Sequence, residues 1–178
     1  MGDTLVTIVA IVLAAILMFV FPVMTMSDRT DEMSQLSVET ATTEFVDTVR
    51  TTGKLTADNY DRFVQVINST GNTYDIEMEA KILDENPGKK TTQVQADKIG
   101  ENVYYSKYTS QLLDELYTED GDKKSISFKE GDYFSASVKN TNTTLSQQFK
   151  NFFYTVTGND TYTVSAQHGG LITPNGAK

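Results

Sequence analysis

The chain has 178 residues, which suits one domain of ordinary size. It carries 15 Lys and Arg against 24 Asp and Glu, a net charge of −9, and this acidic balance argues against nucleic-acid binding, because phosphate binding needs clustered basic side chains. The absence of cysteine excludes disulfides, thiolate metal sites and cysteine nucleophiles, and the single histidine, His168, excludes a cluster of histidine ligands.

The first predicted element is a membrane anchor over residues 1–26. Residues 5–26 include no charged side chain, and a helix of that length spans roughly 33 Å, enough for a hydrocarbon core of about 30 Å. A cleavable signal peptide is the main alternative, but it would need a basic start and a small-residue cleavage site, and neither is found here. We therefore expect an uncleaved, single-pass anchor.

An amphipathic stalk helix is predicted over residues 27–53. No glycine or proline interrupts the segment from Met26 to Thr52, and Gly53 then provides a signal for a helix end. Apolar residues recur at intervals typical of one helical face, and the members of this stripe are Leu36, Val38, Ala41, Phe45 and Val49. The simplest prediction is one helix from about Leu5 to Thr52, roughly 70 Å long.

The remaining residues, 54–178, are predicted to form a small α+β head domain. A helix with Thr56 as its N-cap is followed by strict alternation of apolar and charged residues from Tyr74 to Ile82, which is typical of a strand with one buried face. Further elements are expected in this order: a returning strand at 91–96, a helix at 101–117, a hairpin of 125–129 with 133–139, a short helix after Thr143 or Thr144, and a strand at 162–166. Together these predict the α+β class, with helices packed on one face of an antiparallel sheet and a long N-terminal helix that carries the domain.

Residues with catalytic or metal-binding potential are few. No nucleophile, zinc or nucleotide motif occurs in the sequence, and His168 is expected in a turn that follows the last strand. Two acidic loops, 84–86 and 119–122, contain oxygen ligands but lack the carboxylate spacing of a calcium loop, so solvated turns are expected there. We predict no catalytic residue, no cofactor and no metal site, and hence a protein that is not an enzyme.

The stripe on the stalk allows two interpretations. It either packs on the protein's own sheet, or it packs laterally against copies or relatives of the same helix in a filament or membrane assembly. The helix faces beside the stripe are rich in Thr, Ser and Glu, which argues against a helix buried on all sides. We take the five stripe residues as the candidate partner interface, while both interpretations remain open from the sequence.

The orientation of the anchor does not follow from charge alone. The nearest basic residues are Arg29 and Arg50, both after the span, and this weak bias would place the head in the cytoplasm. Against it stand the acidic residues on the same side, Asp28, Asp31 and Glu32, and the Thr- and Asn-rich domain that follows.

Several short segments resemble those of a known family: Arg50-Thr51-Thr52-Gly53-Lys54-Leu55-Thr56, residues 69–77, Gly131-Asp132-Tyr133-Phe134 with Val138-Lys139-Asn140, and Gly169-Gly170-Leu171. Over most of residues 45–172 the chain is similar to small membrane-anchored proteins of Gram-positive bacteria that are encoded beside tight-adherence (Tad, Flp-type) pilus and type II/IV secretion-like machinery. The resemblance implies a pilin-like or pseudopilin-like subunit whose head lies outside the membrane, and it offers no catalytic residues.

This chain departs from type IV prepilins in two respects. It has no basic leader, and Thr7 would take the fifth mature position after cleavage at Gly2, where those proteins usually have glutamate. The departure implies either an already processed chain or an uncleaved accessory subunit, and a minor rather than a major subunit.

The expected function is therefore that of a non-enzymatic, single-pass membrane protein at the cell surface. It would be a pilin-like or accessory subunit of a Tad-like pilus or secretion assembly that associates through its N-terminal helix. The expected partners are the membrane and other pilin-like subunits or assembly proteins, with no nucleic acid and no small-molecule substrate. The alternative is a stand-alone membrane-tethered extracellular binding or sensor domain, whose natural site would be a pocket lined by Tyr104, Tyr105 and Tyr108.

Overall fold

The computed structural model describes residues 2–83, 104–117, 123–142, 148 and 163–174. The helices in this part of the chain are α1 (Gly2–Thr52), α2 (Ala57–Asn68) and α3 (Thr109–Leu116). The strands are β1 (Lys54–Thr56), β2 (Tyr74–Leu83), β3 (Tyr104–Tyr108), β4 (Ser125–Ser127), β5 (Tyr133–Asn140) and β6 (Ser165–Leu171). The predicted α+β class is confirmed. The predicted strand at 91–96, the helix after Thr143 and both acidic loops lie outside the described residues.

The main sheet has four antiparallel strands in the order β3-β2-β5-β6. The central pair, β2 and β5, aligns Met78 with Ala136, and β5 and β6 align Val138 with Ala166. These apolar residues share the face of the sheet on which α1 packs, and α2 packs against α1 and adds Phe63 and Ile67 to the same core. A separate two-stranded pairing of β1 with β4 lies beside this layer.

Local sequence signals determine where α1 ends and where α2 begins. Gly53 ends α1 with a positive φ of 65°, a conformation that glycine adopts without a steric cost, and its N–H donates to Val49 O at 2.8 Å. Thr56 begins α2, and its Oγ1 accepts a hydrogen bond from the Asn59 N–H at 3.2 Å. The predicted helix end at Gly53 and the predicted N-cap at Thr56 are both confirmed.

The second half of α1 belongs to the core of the domain. Phe45 stacks on Phe63 of α2 with 4.5 Å between ring centroids, and it meets the edge of Phe134 on β5 at 5.8 Å. Val38 and Val49 are completely buried in the same cluster. The hydrophobic core therefore includes residues on both sides of the predicted boundary between a stalk (27–53) and a head (54–178).

Two predicted elements are also wrong. Residues 104–108, expected in a helix, form strand β3, because they pair with residues 79–83 of β2; Thr109 Oγ1 then accepts from the Met78 N–H at 2.7 Å and the helix begins only there. The predicted hairpin of 125–129 with 133–139 does not form, because β4 pairs with β1 instead. Asp132 redirects the chain between β4 and β5, since its carboxylate accepts from the N–H groups of Lys129 and Leu83, each at 2.8 Å.

Candidate membrane and assembly surface

The first half of α1 projects from the domain with its apolar side chains exposed. The large apolar side chains that the structure describes between Leu5 and Met26 are each 50–73% exposed. This is the one helix among the described residues that is long and apolar enough to cross a membrane. A surface of this size is costly to leave in water, so it requires a bilayer or a protein partner.

The polar groups in this half of the helix are satisfied locally. The hydroxyls of Thr7, Thr25 and Thr30 each donate to the carbonyl oxygen four residues earlier, at 2.7, 3.0 and 3.1 Å. Pro22 has no N–H, so the carbonyl of Met18 lacks its usual helical donor, a defect that membrane helices tolerate. Within residues 5–26 the hydroxyls of Thr7 and Thr25 therefore have local partners, and the Met18 carbonyl is the exception.

The domain covers only one side of α1. Asp31 and Ser34 are buried, yet Met33 is 70% and Leu36 66% exposed. At 3.6 residues per turn, Met33 and Leu36 lie nearly opposite the side of α1 that contacts the sheet. The exposed apolar surface thus continues past the anchor, along the back of the helix.

Four members of the predicted partner interface, Val38, Ala41, Phe45 and Val49, are buried in the protein's own core, with 0–7% of their surface exposed. The physical reason is that the apolar face of the sheet needs an apolar helix face to cover it, and this stripe supplies it. Leu36 alone among the five is accessible.

Polar side chains of α1 hold it along the free edge of the sheet. The alternation of the antiparallel ladder directs the backbone groups of Ser165 and Leu171 away from β5. The Gln35 amide donates to Ser165 O at 2.7 Å and accepts from the Ser165 N–H at 3.1 Å, while Arg50 Nε donates to Leu171 O at 3.0 Å. Sequence reasoning predicted neither the Gln35 contact nor the Arg50 contact, since neither has a local signal.

His168 lies inside β6, so its predicted position in a turn is wrong. Its Nε2 is 3.2 Å from Asp47 Oδ1, which also accepts from Arg50 Nη1 at 2.8 Å. Gly170, two residues further along the strand, leaves room for the guanidinium: a Cβ there would lie 2.6 Å from Arg50 Cζ. Gly170 therefore allows a close approach of helix and strand, whereas Gly169 leaves room for the side chains of Tyr133 and Ser135 on β5, and neither marks a chain reversal.

A second polar cluster joins α2 to the residues that follow α3. Lys123 Nζ donates to Asp61 Oδ2 at 2.7 Å and to Asp58 Oδ1 at 2.9 Å, and the Tyr117 hydroxyl donates to Asp61 Oδ1 at 2.5 Å. The hydrogen bonds from Lys123 and Tyr117 lower the pKa of Asp61. Burial and the bond to Asp61 raise the pKa of Tyr117 to about 12. These groups hold each other in fixed charge states, which suits a structural clamp.

The three tyrosines proposed for a binding pocket do not share one cavity. Tyr105 lines a groove of about 820 Å³ together with Lys107, Asp114 and Lys129. The Tyr104 hydroxyl instead donates to Gly131 O at 3.3 Å, and Tyr108 is exposed at the end of β3. Within the described ranges, no group of three or more His, Asp and Glu side chains is placed to hold a metal ion.

In comparisons with known proteins, no family model matches this chain, and neither a curated protein nor a solved structure matches it.

Proposed function

We propose that this protein is a non-enzymatic, pilin-like or accessory subunit of a surface assembly, of the kind formed by Tad-like pilus or secretion machinery. Residues 2–26 anchor it in the membrane as a single span, and its domain lies outside the cell. Its partners are other pilin-like subunits or assembly proteins. The subunit associates with them through the exposed side of α1.

The contrast between the two halves of α1 is the observation that supports this proposal. One continuous helix of 51 residues has a first half with exposed apolar side chains and a second half that completes the core of an α+β domain. A stand-alone anchored domain needs only a span and a linker, whereas a rigid helix fixes the domain relative to whatever covers the apolar half. That rigidity favours an ordered assembly.

A stand-alone membrane-tethered binding domain is the second candidate, and the groove beside Tyr105 is the observation that favours it. The groove is large, but its lining is of mixed charge, with Lys107, Lys124 and Lys129 against Asp114, Glu115, Glu130 and Asp132. Ligand sites more often combine an apolar lining with a few convergent polar groups. We therefore prefer the assembly subunit.

Protease treatment of intact cells, combined with fractionation of sheared surface material, tests the proposal. Digestion of the domain together with recovery of intact protein in the sheared fraction is the expected result. Digestion with full retention in the membrane would instead favour the stand-alone binding domain. Protection until lysis would place the domain in the cytoplasm and contradict both candidates.

A further inference from the structure

The main sheet extends lengthwise along α1. Two contacts join α1 to β6: Gln35 bonds to the backbone of Ser165, and Arg50 bonds to Leu171 O. Between these contacts α1 advances by roughly 22 Å and β6 by roughly 20 Å. Because both elements progress in the same sense and by nearly the same length, the strands run in nearly the same direction as the helix that contains the anchor.

The end of the sheet nearest to the anchor is formed by the start of β2 and the end of β5. Lys139 pairs with Ser165, which lies at the level of Gln35. Thr141 lies two residues further toward the anchor, roughly 7 Å below that level. Gln35 follows Met26 by nine residues on the continuous helix α1, which is roughly 14 Å. Thr141 therefore lies only about 7 Å beyond the end of the uncharged span.

Burial along α1 independently places the domain this close to the span. Met26 is 72% exposed, whereas Asp31 is 2% exposed. The distance between these two residues along the helix is roughly 8 Å, so the domain begins to cover α1 within that length. The polar headgroup layer on each side of a bilayer is about 5–7 Å thick. The end of the domain and the headgroup layer therefore meet at the same level.

This end of the domain is polar, uncharged and tied together by hydrogen bonds. The Thr141 N–H donates to Thr73 O at 2.9 Å, and the Thr73 N–H donates to Asn142 Oδ1 at 3.0 Å. Asn142 Nδ2 donates in turn to Asn72 Oδ1 at 3.3 Å. Both threonines are exposed. We refer to these four residues, Asn72, Thr73, Thr141 and Asn142, as the polar end.

The chemistry of the polar end suits lipid headgroups. Amide and hydroxyl groups can donate hydrogen bonds to phosphate and ester oxygens, and the amide oxygens can accept from water in the same layer. None of the four side chains carries a charge, although the whole chain has a net charge of −9. Contact with the headgroup layer therefore requires no burial of an ionised group.

We propose that the polar end rests on the phosphate and glycerol groups of the lipids, so that the domain stands upright on the membrane. This inference rests on the part of the proposed function that places residues 5–26 in a bilayer, and it specifies how the domain is oriented there. The opposite end of the domain, where Ser127 pairs with Lys54, then lies roughly 40 Å above the span. The exposed side of α1 remains open to neighbouring subunits over this height.

Fluorescence quenching of the full-length chain in phosphatidylcholine vesicles tests this orientation. The chain contains no cysteine, so a label on one engineered cysteine reports one position. Thr73→Cys places the label on the polar end, and the Thr73 hydroxyl makes no hydrogen bond to another part of the chain that the structure describes. Ser127→Cys is the matched control, because it replaces an exposed hydroxyl at the opposite end. A nitroxide on the lipid headgroup should quench the label at position 73 and leave the label at position 127 unquenched.

A spacer in α1 gives a second readout. A helical insertion of seven Glu, Lys and Ala residues after Ser27 adds about two turns, roughly 10 Å, and keeps the sides of α1 in register. This insertion should raise the domain off the lipids and abolish the quenching at position 73. Quenching that persists at position 73 would contradict the upright orientation.

A third label separates this orientation from the function on which it rests. Leu13→Cys should be quenched by a nitroxide placed deep in the acyl chains. Quenching at position 13 without headgroup quenching at position 73, or with equal headgroup quenching at positions 73 and 127, overturns the upright orientation and leaves the anchor standing. No quenching at position 13 overturns the anchor, and the orientation with it.

Discussion

Gln35 of α1 and the backbone of Ser165 on β6 exchange two hydrogen bonds, at 2.7 and 3.1 Å, across 130 residues of sequence. The side-chain amide imitates a neighbouring strand, because it offers a donor and an acceptor to the outward-facing groups of an edge residue. Arg50 makes a single contact of this kind, because its Nε donates a hydrogen bond to Leu171 O. The two contacts fix α1 against both ends of β6.

We expect Gln35→Ala to lower the free energy of unfolding by roughly 1–3 kcal/mol, because it removes two hydrogen bonds of about 0.5–1.5 kcal/mol each and leaves the exposed Ser165 groups to water. Hydrogen exchange of the Ser165 amide should accelerate as well. Glu39→Ala is the matched control, since Glu39 accepts only from Gln35 among the side chains described here. This substitution should change the free energy of unfolding by less than about 0.5 kcal/mol and leave hydrogen exchange of the Ser165 amide unchanged. Unchanged exchange at Ser165 in Gln35→Ala would contradict the contact.

Gly170→Ala should destabilise the domain, because the new Cβ would lie 2.6 Å from Arg50 Cζ and would displace the guanidinium. The expected loss is about 0.5–1.5 kcal/mol, because the flexible guanidinium can move aside but gives up its hydrogen bonds to Leu171 O and Asp47 Oδ1. Denaturant unfolding of a double-mutant cycle checks the cause: in an Arg50→Ala background, Gly170→Ala should cost much less. Equal costs in both backgrounds would mean that the clash is not with Arg50.

Phe45 and Leu36 should respond in opposite ways although both belong to the sequence-predicted stripe. Phe45→Ala should cost about 3–5 kcal/mol of stability, since it removes a ring packed between Phe63 and Phe134. Leu36→Ala should change stability by less than about 0.5 kcal/mol, because Leu36 is exposed, yet it should reduce recovery in the sheared fraction. Destabilisation by Leu36→Ala comparable to that of Phe45→Ala would place Leu36 in the core and refute this division.

The Tyr117–Asp61 pair predicts a pH dependence at both ends of the scale. Because the pKa of Tyr117 is raised to about 12, its contribution to stability is complete below about 10, the usual tyrosine value, and is lost as the pH rises through about 12. Because the pKa of Asp61 is lowered, its contribution is present above about 3.9 and is lost as the pH falls through the lowered value. Absorbance titration of the tyrosines should show that Asp61→Asn moves the titration of Tyr117 toward 10, with a further lowering of the pKa of Tyr60, which Asp61 also raises. An unchanged titration would contradict the hydrogen bond.

Local signals predicted the elements that depend on neighbouring residues. The end of α1 at Gly53, the cap at Thr56 and the alternation in β2 were all read from adjacent positions and are confirmed. The pairing of β4 with β1 and the contacts of Gln35 and Arg50 join segments far apart in sequence, so no local pattern announces them. Sequence reasoning assigns the residues of β3 to a helix, because the helical spacing of apolar residues in α3 begins directly after the strand.

The function of the stripe could not be decided from its periodicity. An apolar helix face has the same 3–4 spacing whether it covers the protein's own sheet or a partner, since burial is a tertiary property. The structure assigns Val38, Ala41, Phe45 and Val49 to the core. The exposed residues on the back of α1, Met33 and Leu36, are too few to form a pattern of their own.

The most direct test of the account is thiol labelling of single-cysteine variants with a membrane-impermeant reagent, in intact cells and in sheared material. The account predicts that Leu36→Cys is labelled in the membrane-resident protein of intact cells and protected in the sheared fraction, whereas Leu13→Cys is unlabelled in both. Labelling of Leu36→Cys only after lysis would place the domain inside the cell. Labelling of Leu13→Cys in intact cells would show that the first half of α1 is not in the membrane, and either result would contradict the account.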